Sequence, residues 1–190
     1  KLCNLIISPI LLNKRNKSGY SLNLTIERGK YNMAIRKIRT MGDKILTKKC
    51  RQVEEVTPRI RQLVEDMLDT MYDACGVGLA APQVGILKRI VVIDVGEGPL
   101  VLINPVITQT SGEQTGEEGC LSLPGKSGVV TRPNLVTVKA WNENMEEITV
   151  TGEGLLARAI CHECDHLEGI MYVEHVEGEI HDVEYDSEEE

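Results

Sequence analysis

The stretch that most constrains this chain is Ala159–Gly169, reading AICHECDHLEG. His162 and His166 stand four residues apart, with Glu163 directly after the first. On an α-helix, residues i and i+4 share one face about a turn apart, so two imidazoles so placed reach one metal ion. A carboxylate at i+1 projects to the side, where it takes a proton from water without being a ligand. The spacing predicts a helix capped by Thr151, with Glu153 in its first turn and Leu155, Leu156, Ala159 and Ile160 as its apolar face. Gly169 is placed as the left-handed stop. A short motif also arises in solvated surface helices, but apolar residues flanking the His pair favour burial. Two His do not make a catalytic site, so a third ligand must come from elsewhere.

At 190 residues the chain supports one good core. It has no Phe, so that core rests on Ile, Leu, Val and Met. No apolar run approaches the roughly 20 residues that span a bilayer. A net charge of −8 argues against nucleic-acid binding as the main function. Six Cys in a chain of this size, without a convincing secretion signal, point to a reducing compartment and to free or metal-bound thiols.

Residues 1–32 differ from the rest, with six Lys/Arg against one Glu, while 33–190 hold 15 Lys/Arg against 28 Asp/Glu. They read as a translated leader upstream of Met33 and outside the working fold; an organellar transit peptide is the alternative. A catalytic domain is expected over 33–176 and a solvated, mobile acidic tail over 177–190.

Within the domain, Thr57–Ala74 predicts an amphipathic helix, with Thr57 as N-cap, Pro58 at the first helical position and Gly76 ending it. β-rich runs follow at Arg89–Val95, Leu100–Ile107, Asn134–Asn142 and Met145–Val150, the last two joined by a tight hairpin at Glu143-Asn144. The pattern implies an α+β fold: antiparallel sheets around the buried HExxH helix, with one outer N-terminal helix.

For the third ligand, His175 and His181 lie among acids and read as surface residues, while Cys161 and Cys164 read as small core residues. Cys120, in the loop Glu118–Ser122 (EGCLS), is the better candidate, against the plainer reading of a buried free thiol. One thiolate and two imidazoles leave an open fourth position, the mark of a catalytic site.

Three segments, GVGLAAPQ (76–83), EGCLS (118–122) and HECDH (162–166), in this order resemble the three motifs of peptide deformylases, and the resemblance extends over Ala34–Val176. It implies removal of the N-formyl group from nascent polypeptides, with Cys120, His162 and His166 as metal ligands, Glu163 as proton shuttle, and Gln83 with the Leu121 N–H stabilising the oxyanion. It implies Fe(II); the donor set by itself suits Zn(II) equally, and Ni(II) or Co(II) as replacements. Backbone contacts from Val77, Gly78 and Gly119 would hold an extended substrate. Val77, Glu118, Leu155, Arg158, Ala159 and His162 would line the pocket for the Met side chain. Arg132 would pair with Glu118, against the plainer reading of an exposed surface charge, and Asp165 would support the helix and a neighbouring ligand rather than act in catalysis.

The residue before the first His is Cys161, where the family usually has Gln. Partners implied are N-formylmethionyl nascent peptides and the ribosome near its exit tunnel, with no membrane and no nucleic acid, in a bacterial cytoplasm. The rival readings are a zincin-type metalloprotease and a catalytically silent, ribosome-associated metal binder.

Overall fold

The computed structural model describes residues 34–183. In chain order these form α1 (Pro58–Asp73), β1 (Gly78–Ala80), a 3-10 turn (Ala81–Val84), β2 (Ile90–Ile93), β3 (Leu100–Ser111), β4 (Gln114–Cys120), β5 (Leu123–Arg132), β6 (Leu135–Trp141), β7 (Glu147–Glu153), α2 (Leu155–Glu168), a second 3-10 turn (Tyr172–Glu174) and β8 (His181–Asp182). One antiparallel sheet runs β1-β2-β3-β6-β7, and a second runs β4-β5-β8.

The five-stranded sheet is covered on both faces, and β2 shows why. Successive side chains of a strand point to opposite faces, and every residue of Ile90–Ile93 is apolar and buried. Val91 and Ile93 pack with Ala157, Ile160 and Leu167 of α2, while Ile90 and Val92 pack with Leu63, Val64, Met67 and Met71 of α1. The second sheet closes over a smaller core of Leu46, Cys120, Val130, Met171 and Tyr172. Two antiparallel sheets and two helices agree with the α+β reading, and the helix carrying the two His packs against the five-stranded sheet.

α1 forms as its sequence dictates. Thr57 accepts from the Ile60 N–H through its side chain, Pro58 opens the helix, and the Met–Leu stripe faces the sheet.

Four local expectations need correction. α2 begins at Leu155, and Gly154, with φ +57° and no side-chain cap, takes the N-cap position. Thr151 and Glu153 lie instead in β7, where Thr151 pairs with Thr137 across the ladder. The β6–β7 turn is longer than the two residues Glu143-Asn144: Asn142 Oδ1 accepts from the N–H groups of Asn144 and Glu146, and Met145 has φ +60°. EGCLS is not a free loop, because β4 runs through Cys120 and pairs with β5, with a bulge between Gly119 and Cys120. Finally, the segment after Val176 is not wholly mobile: Lys126↔Asp182 and Ser127↔His181 pair β8 with β5. The leader expected over 1–32 lies outside the described residues, as does the tail beyond 183.

At the far end of α2, Gly169 has φ +77°, as the stop requires, and a Cβ there would meet the Thr47 carbonyl carbon at 2.6 Å and the Lys48 nitrogen at 2.8 Å. Both neighbours are backbone and cannot swing away. Gly169→Ala is expected to destabilise the fold by about 2–4 kcal/mol through the left-handed conformation and overpacking combined. Urea unfolding of the two proteins checks this, and a loss below about 1 kcal/mol would contradict it.

Candidate metal centre and active site

Cys120 ends β4, while His162 and His166 occupy consecutive turns of α2. All three are buried, and one donor atom from each lies within 4.8 Å of the others. Cys120 Sγ is 3.2 Å from His166 Nε2, and the two imidazole rings meet edge-on with centroids 4.9 Å apart. The sequence pairs the two His by helical periodicity; only the packing of β4 against α2 adds the sulfur.

The orientation of His162 is held from behind. Glu118 Oε1 accepts from its Nδ1 at 2.7 Å, which leaves Nε2 for an ion. Glu118 also accepts from Arg132 Nε (3.1 Å) and Nη2 (2.7 Å), and from Arg158 Nη1 (2.9 Å). Burial by itself would raise the Glu118 pKa, but the His162 and Arg132 hydrogen bonds prevail and hold this carboxyl well below the usual range. Arg132 reaches onward to Asp165 Oδ2 at 2.6 Å, and His175 Nε2 lies 3.1 Å from the same oxygen. Asp165, on α2, is thereby tied to β5 through Arg132.

The donor set fits a cation. Burial opposes charge on His162, yet the Cys120 sulfur and Glu118 raise its pKa well above the ordinary value, while burial and the neighbouring His162 push His166 well below. One thiol and two imidazoles, buried with their donor atoms within 4.8 Å of one another, are a set that holds a divalent ion. His166 Nδ1 and Glu163 Oε2 are buried without a hydrogen-bond partner among the described residues. Burial pushes the Glu163 carboxyl up to about 7, opposed by His162 and reinforced by Glu118 and Asp165. Gly78 makes room for this carboxylate, because a Cβ at that position would collide with Oε1.

Gln83 lies in the 3-10 turn, buried, with Ala80 N–H donating to its Oε1 at 2.8 Å and its Nε2 3.5 Å from Cys120 Sγ. Leu121 starts the turn between β4 and β5. A cavity of about 600 Å³, including its open mouth, is lined by Val77, Gly78, Gln83, Glu118, Gly119, Cys120, Leu121, Leu155, Arg158, Ala159, His162 and Glu163. Every site residue expected from sequence lines this cavity or, for His166, joins the donor cluster behind it.

The residues set aside also separate as expected. His175 and His181 are exposed and outside the donor cluster, His181 lying beside Ser127 and Glu117. Cys161 and Cys164 pack into the core, and burial raises both thiols, Cys164 to about 12, so they stay protonated. Cys75, half-buried on the cavity rim, departs from the expectation of thiols throughout: it is disulfide-bonded, whereas Cys50, Cys120, Cys161 and Cys164 are free. Ser122, to which the sequence assigns no role, is fully buried against Gln83. Its signal was only a small polar residue two places after the Cys.

Comparison with known proteins agrees with this geometry. Residues 35–180 match the family model described as polypeptide deformylase. The chain is 67% identical over 162 residues to a peptide deformylase of Lachnoclostridium phytofermentans, covering 83% of this chain and 99% of that one. It is 65% identical over 158 residues to one of Agathobacter rectalis, with coverage of 83% and 100%. Among solved structures, a peptide deformylase from Legionella pneumophila superposes with a TM-score of 0.74 at 45% identity, over 76% of this chain and 87% of that one. One from Synechococcus elongatus in complex with actinonin gives 0.73 at 41%, over 78% and 87%. The fold and site define a metal-dependent hydrolase, and the chain belongs to the polypeptide deformylase family. The zincin reading falls with this, since the third donor is Cys120 and not a downstream His or Glu. No helix among the described residues is long and apolar enough to cross a membrane.

Removing one partner of a buried ion pair leaves the other charge uncompensated. Arg132→Met strips two donors from Glu118 and one from Asp165. It is expected to cost about 3 kcal/mol, the lower end for such losses, because Arg158 and His162 remain on Glu118. Denaturant titration checks the magnitude.

Proposed function

We propose that this chain hydrolyses the N-formyl group of formyl-methionyl peptides, releasing formate and a free α-amine, with Cys120, His162 and His166 holding one Fe(II) ion. The observation that carries the proposal is the convergence of three buried metal donors with an unpartnered carboxylate oxygen, that of Glu163, at the base of one cavity. A divalent ion held there lowers the pKa of water and draws charge from a formyl oxygen; Zn(II), Ni(II) and Co(II) suit the same donors.

The protein's own groups account for the rest. Glu163, beside the donor cluster, takes the proton of the attacking water and returns it to the departing amine, without which a formamide C–N bond breaks poorly. The Gln83 amide and the Leu121 N–H face the charge that develops on the formyl oxygen; losing one such donor typically costs about 10²–10³ in rate. β1 ends one sheet and β4 ends the other, so two strand edges flank the cavity. An extended peptide laid between them takes backbone hydrogen bonds from Val77, Gly78 and Gly119. The first side chain then enters the pocket bounded by Leu155, Arg158, Ala159 and His162, where Glu118 is already neutralised by its own partners.

The deciding experiment is formate release from a formyl-Met tripeptide by protein loaded anaerobically with Fe(II), and with Ni(II) in parallel. Glu163→Gln is expected to lower turnover by roughly 10²–10⁴. Fully loaded wild-type protein without turnover would overturn the proposal. The acid limb of the pH profile has a defined sign. Glu163 accepts a proton only when ionised; burial pushes its pKa up to about 7, and a bound cation pulls it down. kcat/KM is therefore expected to rise with pH along a limb whose midpoint lies at or below about 7. A midpoint clearly above 7 would mean another group is titrating.

A further inference from the structure

The EGCLS motif contains one polar side chain that the reaction leaves without a task, Ser122. It sits in the turn between β4 and β5, with no exposed surface, and its Oγ accepts from Gln83 Nε2 at 3.1 Å. The far end of the same amide is also held, because the Ala80 N–H donates to Gln83 Oε1 at 2.8 Å. A backbone N–H is an unambiguous donor, so the oxygen of the amide must face Ala80 and its nitrogen must face the site.

The two hydrogens of a primary amide lie in one plane at a fixed angle, so anchoring one aims the other. With one hydrogen on Ser122 Oγ, the second is directed to the side of Cys120 Sγ, which is 3.5 Å from Nε2. The distance between Ser122 and Gln83 is set by a third segment of chain. Met41 N–H donates to the Ser122 carbonyl and Arg39 N–H to the Gln83 carbonyl, both at 2.7 Å. Residues 39–41 therefore staple the two backbones together behind the site. The Ser122 N–H also lies 3.4 Å from Cys120 Sγ, a contact that any side chain at 122 would keep.

We infer that Ser122 is a positioning residue: its hydroxyl, clamped to the Gln83 amide, aims the remaining amide N–H at the formyl oxygen of the substrate. The inference rests on the deformylase reading for what Gln83 stabilises, but the contact itself does not.

Two measurements on the metal-loaded protein test it. The first is a kinetic cycle of Ser122→Ala, Gln83→Leu and the double variant, with formyl-Met tripeptide as substrate. Ser122→Ala is expected to lower kcat roughly ten- to a hundredfold, the scale of a misplaced catalytic group, with KM changed less than twofold. In the Gln83→Leu background, Ser122→Ala should lower kcat no further. Equal losses in both backgrounds, or an unchanged kcat for Ser122→Ala, would overturn the inference, since a residue that only supports the fold or Cys120 acts independently of Gln83.

The second is the NMR signal of the Gln83 side-chain amide in Zn(II)-loaded protein. The hydrogen bonded to Ser122 should be shifted downfield from its geminal partner, and this separation should collapse in Ser122→Cys, which keeps the shape with a weaker acceptor. An unchanged separation would overturn the inference even if Ser122→Ala fails to fold. Wild-type protein that releases no formate, yet shows this signal, would overturn the proposed reaction and leave the Ser122–Gln83 clamp standing.

Discussion

The structure depends on one buried carboxylate. Glu118 sits on β4, Arg132 on β5, and Arg158 and His162 on α2, and all three cations or donors converge on its two oxygens. The ion-pair cluster thus ties the three-stranded sheet to the central helix. Cys120 lies two residues from Glu118 on the same strand, and His162 is itself one of the partners. The charge cluster thereby fixes the distance between the thiol and the imidazoles. A buried charge is costly when unpaired; here each partner is also a structural tie, so the cost and the geometry are settled together.

Around that cluster the fold places features that favour reaction over stability. Glu163 is buried, with one oxygen unpartnered, and burial pushes its pKa up to about 7 from the ordinary 4.5 of a Glu carboxyl. The native state thus binds a proton more tightly there than the unfolded chain does. The resulting stabilisation is complete below about 4.5 and is lost as pH rises through about 7. At working pH the site therefore retains a carboxylate that a more stable protein would neutralise or expose. Gly78, which leaves space for that carboxylate, and the two strand edges beside the cavity follow the same logic. Each omits packing or pairing where a substrate is to be admitted.

Much of this was legible in the residues. α1 could be read from Thr57 to Ala74 because cap, Pro and stripe all agree, and local agreement of that kind survives folding. The His pair was legible because helical periodicity alone brings i and i+4 together. β4 was not, since Gln114–Cys120 is rich in Gly and Glu, residues depleted in strands, and its pairing with β5 is what makes it one. The start of α2 was misplaced for a related reason. Thr151 is a good capping residue, but the β6–β7 ladder claims it, and Gly154 makes the turn into the helix. The capping role of Thr151 was thus assigned by local rule and overridden by longer-range pairing.

By itself, the sequence determined the chemistry available: a helical His pair with its Glu, a thiol flanked by Glu118 and Ser122, and a Gln closing a Gly- and Ala-rich segment. It also determined the two helices and most of the apolar strands, because those depend on periodicity within a few turns of chain. Only the tertiary structure decided that Cys120, and neither His175 nor His181, stands with the His pair. It alone showed that Glu118 is shared among three donors, one on β5 and two on α2, and that Ser122 is clamped to Gln83. These contacts join residues 14 to 46 positions apart. No local rule acts over such separations. They arise where β4 and β5 meet α2 and where the segment at 39–41 ties Gln83 to Ser122, and the distances between side chains are set by that packing.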